Sequence, residues 1–157
     1  MTIAIEKLDT DLWLYNSRGH VLAELGKYDE AIVDLKKVTP IAEDGPLKAY
    51  ALNGLALALA GLGRYRQALE NFKRSLRICP DNAWAYFNRA LARERAGKRH
   101  RVAQDYELSL EKKDPPLPPR KRRKAERCLK EIRRSSKSVR KPFRGEVKFQ
   151  PKADRYR

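Results

Sequence analysis

The apolar positions of this chain recur with a helical step, and the helical stretches come in pairs. In residues 11–26, Leu12, Tyr15, Gly19, Leu22 and Leu25 fall on helical spacing, and after Gly26 the period resumes with Tyr28, Ala31, Ile32 and Leu35. The stretch PLKAYALNGLALALAGLG is followed in the same way by YRQALENFKRSLRI, and NAWAYFNRALARERAG by RVAQDYELSL. Strand-like alternation is absent. The pattern therefore predicts an all-α chain of helix pairs, each turning at Gly26, Gly63 or Gly97, where glycine allows the left-handed conformation that closes a helix.

The residue types within each pair follow from packing. Gly19, Ala56 and Ala90 are small where one helix must press on its partner, and Ala31 and Ala68 are small on the facing helix. Leu35, Phe72 and Tyr106 are large enough to fill the gap to the next unit. Pro40 sets the end of a helix near Val38, Pro46 suits a first helical turn, and Pro80 stops a helix before the next begins.

On these residues the chain resembles the tetratricopeptide repeat, a helix–turn–helix unit of about 34 residues. The second copy carries Ala56, Gly63, Tyr65, Ala68, Phe72 and Pro80 on pattern, and the first keeps Gly19, Gly26, Tyr28 and Ala31. The third departs from it with Arg99 and Val102, and the spacing of 34 residues between Gly63 and Gly97 lengthens to 37 between Gly26 and Gly63. The resemblance covers residues 12–115. It implies a right-handed helical-hairpin solenoid of three units and six helices. An array of this kind needs a polar cap over its last apolar face. The stripe Ala125, Cys128, Leu129 and Ile132, surrounded by Arg and Lys and opened by Pro119, supplies a capping helix. The expected division is a lead-in (1–10), a three-repeat domain (11–115), a basic capping helix (116–135) and a basic extended tail (136–157).

The resemblance also implies a concave groove lined by the first helix of each pair. The corresponding positions form three rows: Trp13, Tyr50 and Trp84; Asn16, Asn53 and Phe87; His20, Leu57 and Leu91. Glu24 and Arg95 lie beyond them. Aromatic side chains in register suit a recognition surface, and Asn16 and Asn53 would hydrogen-bond a peptide backbone. The alternative role of Trp13 and Trp84 is to cover the edges of neighbouring helices. Chaperone-binding members of the family clamp a terminal carboxylate with two lysines, an arginine and asparagines. Here those places hold Asn16, His20, Gly54, Trp84 and Asn88, so the resemblance does not extend to a chaperone carboxylate clamp.

Charge adds a second theme. The 157 residues carry a net charge of +16, and it is unevenly placed. Residues 115–157 hold 17 Lys/Arg against 4 Asp/Glu, whereas the first 114 hold 19 against 16. The basic arm comprises Arg120, Lys121, Arg122, Arg123, Lys124, Arg127, Lys130, Arg133, Arg134, Lys137, Arg140, Lys141 and Arg144, with Phe143, Phe149 and Tyr156 interleaved further on. Such an arm favours an anionic partner: nucleic acid, acidic protein or membrane surface. A solvated helix face with a loose tail is the plain alternative.

No catalytic constellation is visible. His20 and His100 have no Cys or Ser beside them, no phosphate-binding GxxxxGK[ST] loop occurs, and Cys79 and Cys128 form no metal-ligand spacing. No enzyme activity, cofactor or metal is expected. The two cysteines read as reduced thiols, and no apolar run reaches the ~20 residues of a membrane span. The expected location is cytoplasmic, with a nuclear address in KRRK as the alternative. The expectation for function is a non-catalytic adaptor: the groove takes a peptide or helix of a partner protein, and the arm docks on an anionic component of the same assembly. The alternatives are an RNA- or ribonucleoprotein-associated protein held mainly by the tail, and a peripheral protein on an anionic membrane.

Overall fold

The computed structural model describes the backbone of residues 2–98, 101–113 and 115–139, and side chains within 11–98, 101–113 and 115–135. Seven helices and no strand are found among these residues: α1 (Thr2–Glu24), α2 (Tyr28–Val38), α3 (Pro46–Gly61), α4 (Tyr65–Ile78), α5 (Ala83–Arg95), α6 (Val102–Glu111) and α7 (Pro119–Val139). The chain is an all-α helical solenoid.

The three turn glycines do the same work at the same place. Gly26, Gly63 and Gly97 have φ of +82°, +75° and +67°. At the first, the Gly26 amide donates to Ala23 O (3.3 Å) and the Lys27 amide to Leu22 O (2.9 Å), and the pattern repeats after Gly63 and Gly97. These bonds satisfy the last carbonyls of α1, α3 and α5 and reverse the chain within two residues. The prolines act as punctuation. α2 ends at Val38 two residues before Pro40, and Pro46 occupies the first turn of α3. Asn82, just past Pro80, caps α5 by accepting the Ala85 amide at 3.1 Å. α1 reaches back to Thr2, so much of the stretch expected to precede the repeats is helical.

Close approach explains the small residues. A Cβ on Gly19 would lie 2.6 Å from Leu35 Cγ, and one on Gly61 would lie 2.3 Å from the Tyr28 ring. Ala31, Ala56, Ala68 and Ala90 are fully buried, as are Leu35, Phe72 and Tyr106 between successive units. One apolar cluster spans α1 to α4 and reaches Ala92 of α5; a second joins α5, α6 and α7 around Phe87, Tyr106, Ala125 and Leu129.

The stacking order gives α7 its orientation. α3 packs on α2, α5 packs on α4, and α7 packs on α6 in the same relation, while α1, α3 and α5 neighbour one another in a row. α7 therefore takes the place of a fourth unit's first helix. Its apolar stripe seats on α6, and its N-terminal half turns toward the concave side.

Candidate functional site: a groove with one basic wall

The concave side is a trough of about 960 Å³ lined by residues of α1, α3, α5 and α7, with Tyr28 at the start of α2. Leu57 and Leu91 form an apolar floor, with Tyr28, Gly61 and Phe87 beside them. Arg95 sits on one rim, and Arg120, Lys121, Arg123, Lys124 and Arg127 of α7 form the facing wall. Groove and arm, read from the sequence as separate surfaces, share this trough.

The first aromatic row divides. Trp13 is 45% exposed, and its ring centroid lies 6.3 Å from that of Tyr50. Tyr50 and Trp84 border a smaller pocket of about 270 Å³, with His20, Val21, Asn53, Asn82 and Pro115. Trp84 is partly covered: its indole Nε1–H donates to Pro116 O at 3.0 Å, and Lys121 Nζ sits 3.7 Å from the ring centroid. The indole thus anchors the connection into α7 as well as bordering the smaller pocket.

The second row is largely inside the protein, which corrects its expected role. Asn16 is buried, and its Oδ1 has no hydrogen-bond partner among the described residues. Asn53 is buried and accepts from Asn88 Nδ2 at 3.3 Å, so its carbonyl is engaged within the fold. Phe87 is buried with its ring edge-on to Tyr106, centroids 5.9 Å apart. Helix-to-helix contact pairs Asn53 with Asn88 rather than with the residue one repeat further on.

In the third row, His20 is packed over Gly54, where a Cβ would meet its Nε2 at 2.8 Å. Its Nε2 lies 2.9 Å from Tyr50 O, which calls for a proton on that nitrogen. Burial pushes the imidazole below its ordinary pKa, opposed by the Tyr50 hydrogen bond and by Glu24. His20 is therefore a neutral packing residue at the groove's edge.

The cations of α7 separate by face. Arg122 pairs with Glu126 on its own helix at 3.3 Å, and Arg133 pairs with Glu107 of α6 at 2.8 Å. Lys130 and Arg134 also lie on this α6-facing side, away from the trough. Lys121 bridges to Glu24 of α1 at 2.7 Å, 97 residues away in sequence, so the solenoid curls until its first and last helices touch. Arg95, Arg120, Arg123, Lys124 and Arg127 make no salt bridge with a described residue. The side chain of Lys137, and all of Arg140, Lys141 and Arg144, lie outside the described residues.

Sequence reasoning missed two features. One is α7 as a groove wall; its signal was the spacing of Arg120, Arg123, Lys124 and Arg127, which follows one helical face beside the apolar stripe. The other is a buried ionic motif. Arg18 binds Asp34 through two hydrogen bonds of 2.6 and 2.7 Å, and Arg89 binds Asp105 at 3.0 and 2.6 Å, with Arg93 also on Asp105. Asp34 is held below the ordinary carboxylate range, chiefly by its Arg18 hydrogen bonds. Each carboxylate is saturated by its arginines, which makes these pairs structural. Among the described residues, no three His, Cys, Asp or Glu side chains gather to hold a metal. No described helix is long and apolar enough to cross a membrane.

Comparison with known proteins agrees with this architecture. Residues 10–81 match the tetratricopeptide repeat family. A TPR-like protein from Chlorobium tepidum superposes with a TM-score of 0.67 at 22% identity, covering 83% of this chain and 97% of that one. The first TPR of Spaghetti (RPAP3), bound to an HSP90 peptide, gives 0.66 at 22% identity over 82% of this chain and 97% of that one. The Sgt2 TPR domain from Aspergillus fumigatus gives 0.65 at 19% identity over 93% and 88%. Among curated proteins, none matches the sequence.

Proposed function

We infer that this chain, a tetratricopeptide-repeat protein, is a non-catalytic adaptor whose concave trough takes a peptide or helix of a partner protein. The observation that carries this is the trough: an apolar floor of Leu57 and Leu91 runs between α3, α5 and α7, with polar and charged rims. Apolar anchors ringed by charge suit a short segment laid into a groove. One similar fold, the first TPR of Spaghetti, is bound to an HSP90 peptide. That supports peptide capture here as a mode, without carrying over the ligand. Asn16 is buried and His20 is packed against Gly54, so the positions of a chaperone-tail clamp offer no charged grip. Specificity rests on Leu57, Leu91 and Arg95 in the trough and on Tyr50 and Trp84 in the neighbouring smaller pocket, and Trp13 extends the surface along α1.

The experiment is site-specific photo-crosslinking in cells from position 57 or 91, with position 33 on an exposed outer face as control. A partner captured from the trough positions but not from position 33, and lost with Leu91→Asp, is the expected result. Equal capture from all three positions removes the groove from the function. The RNA-associated alternative depends mainly on the tail. Deleting residues 140–157 tests it: RNA association that vanishes while groove capture persists separates the two activities.

A further inference from the structure

The trough is not electrically neutral, and the imbalance specifies an occupant. Six cations line it, namely Arg95, Arg120, Lys121, Arg123, Lys124 and Arg127, against Glu24 as the one acidic side chain among its described lining residues. Five of the six have no described acidic partner, so their field points into the open groove. The positive end of the α7 dipole lies beside Arg120 and Lys121 and reinforces it. Among the described residues, Lys121 is the one cation of the six with an acidic partner: it holds the Glu24 carboxylate at 2.7 Å and rests on the face of Trp84.

We propose that the trough between α5 and α7 takes an acidic peptide segment with apolar anchors, and that Glu24 occupies one of its anion positions as a built-in competitor. This rests on the peptide-groove reading above and names the partner's chemistry. A helical or extended segment bearing carboxylates on one side and two apolar side chains on the other satisfies both walls. The carboxylates face Arg120, Lys124 and Arg127, and the apolar groups reach Leu57 and Leu91. Nucleic acid fits less well. Phosphates would suit the cations, but unpaired bases need exposed aromatic faces. In the trough Phe87 is buried and the half-buried Tyr28 ring is packed against Gly61, while the Trp84 face, in the neighbouring smaller pocket, is capped by Lys121. Entry of the peptide proceeds by exchange: a partner carboxylate replaces Glu24 on Lys121, and Glu24 turns to solvent. Occupancy is then opposed by a single exposed ion pair, which keeps binding reversible and salt-sensitive.

The test uses the full chain and fluorescence anisotropy with two labelled dodecapeptides blocked at both ends. One is glutamate-rich with two leucines a helical turn apart; the other replaces each glutamate by glutamine. The glutamate peptide is expected to bind at least about tenfold tighter, with an affinity that falls as salt rises. Arg120→Gln/Lys124→Gln/Arg127→Gln abolishes that advantage. Lys130→Gln/Arg134→Gln, on the other side of α7, retains it. Glu24→Gln tightens binding by about two- to fivefold, the reach of an exposed pair. Matching unfolding midpoints show that the variants are folded. If both peptides bind alike and the triple variant is unaffected, the acidic occupant is wrong and the groove stands. If Leu91→Asp leaves glutamate-peptide binding intact, the groove reading falls too. If a labelled oligouridylate displaces the peptide and binds more tightly through the same three residues, nucleic acid takes the peptide's place.

Discussion

The second and third helix pairs solve one packing problem with different chemistry. Eight residues before and after the turn glycine, the second pair has Leu55 and Asn71, whereas the third has Arg89 and Asp105. Four residues before the glycine, Leu59 in the second is matched by Arg93 in the third. Leu55 and Leu59 are buried in the first apolar cluster; Asp105 is buried under two guanidinium groups. The first pair lies between the two, with Arg18 on Asp34 but Leu22 in the third position. A repeat tolerates either solution provided the buried carboxylate, where there is one, is paired. The third pair, whose sequence departs furthest from the repeat, is the one most dependent on charge.

The sharpest way to break that contrast is Asp105→Ala, which strands Arg89 and Arg93 in a largely buried site. Chemical unfolding should show a loss of about 3–5 kcal/mol. Transplanting the second pair's solution as Arg89→Leu/Arg93→Leu/Asp105→Asn is expected to be neutral or to stabilise by about 1–4 kcal/mol. A triple variant as weak as Asp105→Ala would show that the ionic cluster does more than replace apolar packing. In the apolar region the corresponding lesion is steric. Gly61→Ala sets a Cβ against the Tyr28 ring and should cost about 1–3 kcal/mol. Shortening the ring with Tyr28→Leu should show coupling to it in a double-mutant cycle.

A subtler contrast appears on titration. His20 has a folded pKa lowered by burial, so the unfolded chain binds more protons than the native one at mildly acidic pH. Its share of stability is complete above about pH 6.5 and declines as pH falls through the lowered folded value. Thermal unfolding should therefore weaken between pH 7.5 and 5.5, and His20→Gln should flatten that dependence. Asp34, also depressed, acts in a lower window. Its contribution is present above about pH 3.9 and fades below it, and Asp34→Asn should remove it. The smallest effect is at the join of α7. Trp84→Phe keeps a ring for Lys121 but loses the bond to Pro116 O, which should cost about 0.5–1.5 kcal/mol. Faster amide exchange in residues 119–135 is the accompanying readout.

Much of the fold was legible because its determinants are local. A glycine at φ above +60°, a proline at a first turn and a small residue facing Leu35 are each demanded by contacts within one helix pair. The candidate site was legible only in part. Leu57 and Leu91 lie on the trough floor, and Trp13 remains largely open beside Tyr50. Asn16, Asn53 and Phe87 lie inward because residues on a helix flank face the next helix rather than the hollow. A shift of one position along the helix, from Phe87 to Asn88, decides which side chain meets Asn53.

By itself, the sequence determined the helix pairs, their turns, the apolar stripe of α7 and the concentration of positive charge beyond residue 114. Periodicity and backbone chemistry act over a few residues, so they can be read along a line. Only the tertiary structure decided where that charge points. Once Ala125 and Leu129 seat on α6, rotation about the α7 axis is settled, and Arg120, Lys124 and Arg127 turn into the trough. The curl of the stack then brings Lys121 to Glu24. That contact is the sum of every helix packing between them, and no local stretch of the chain contains it.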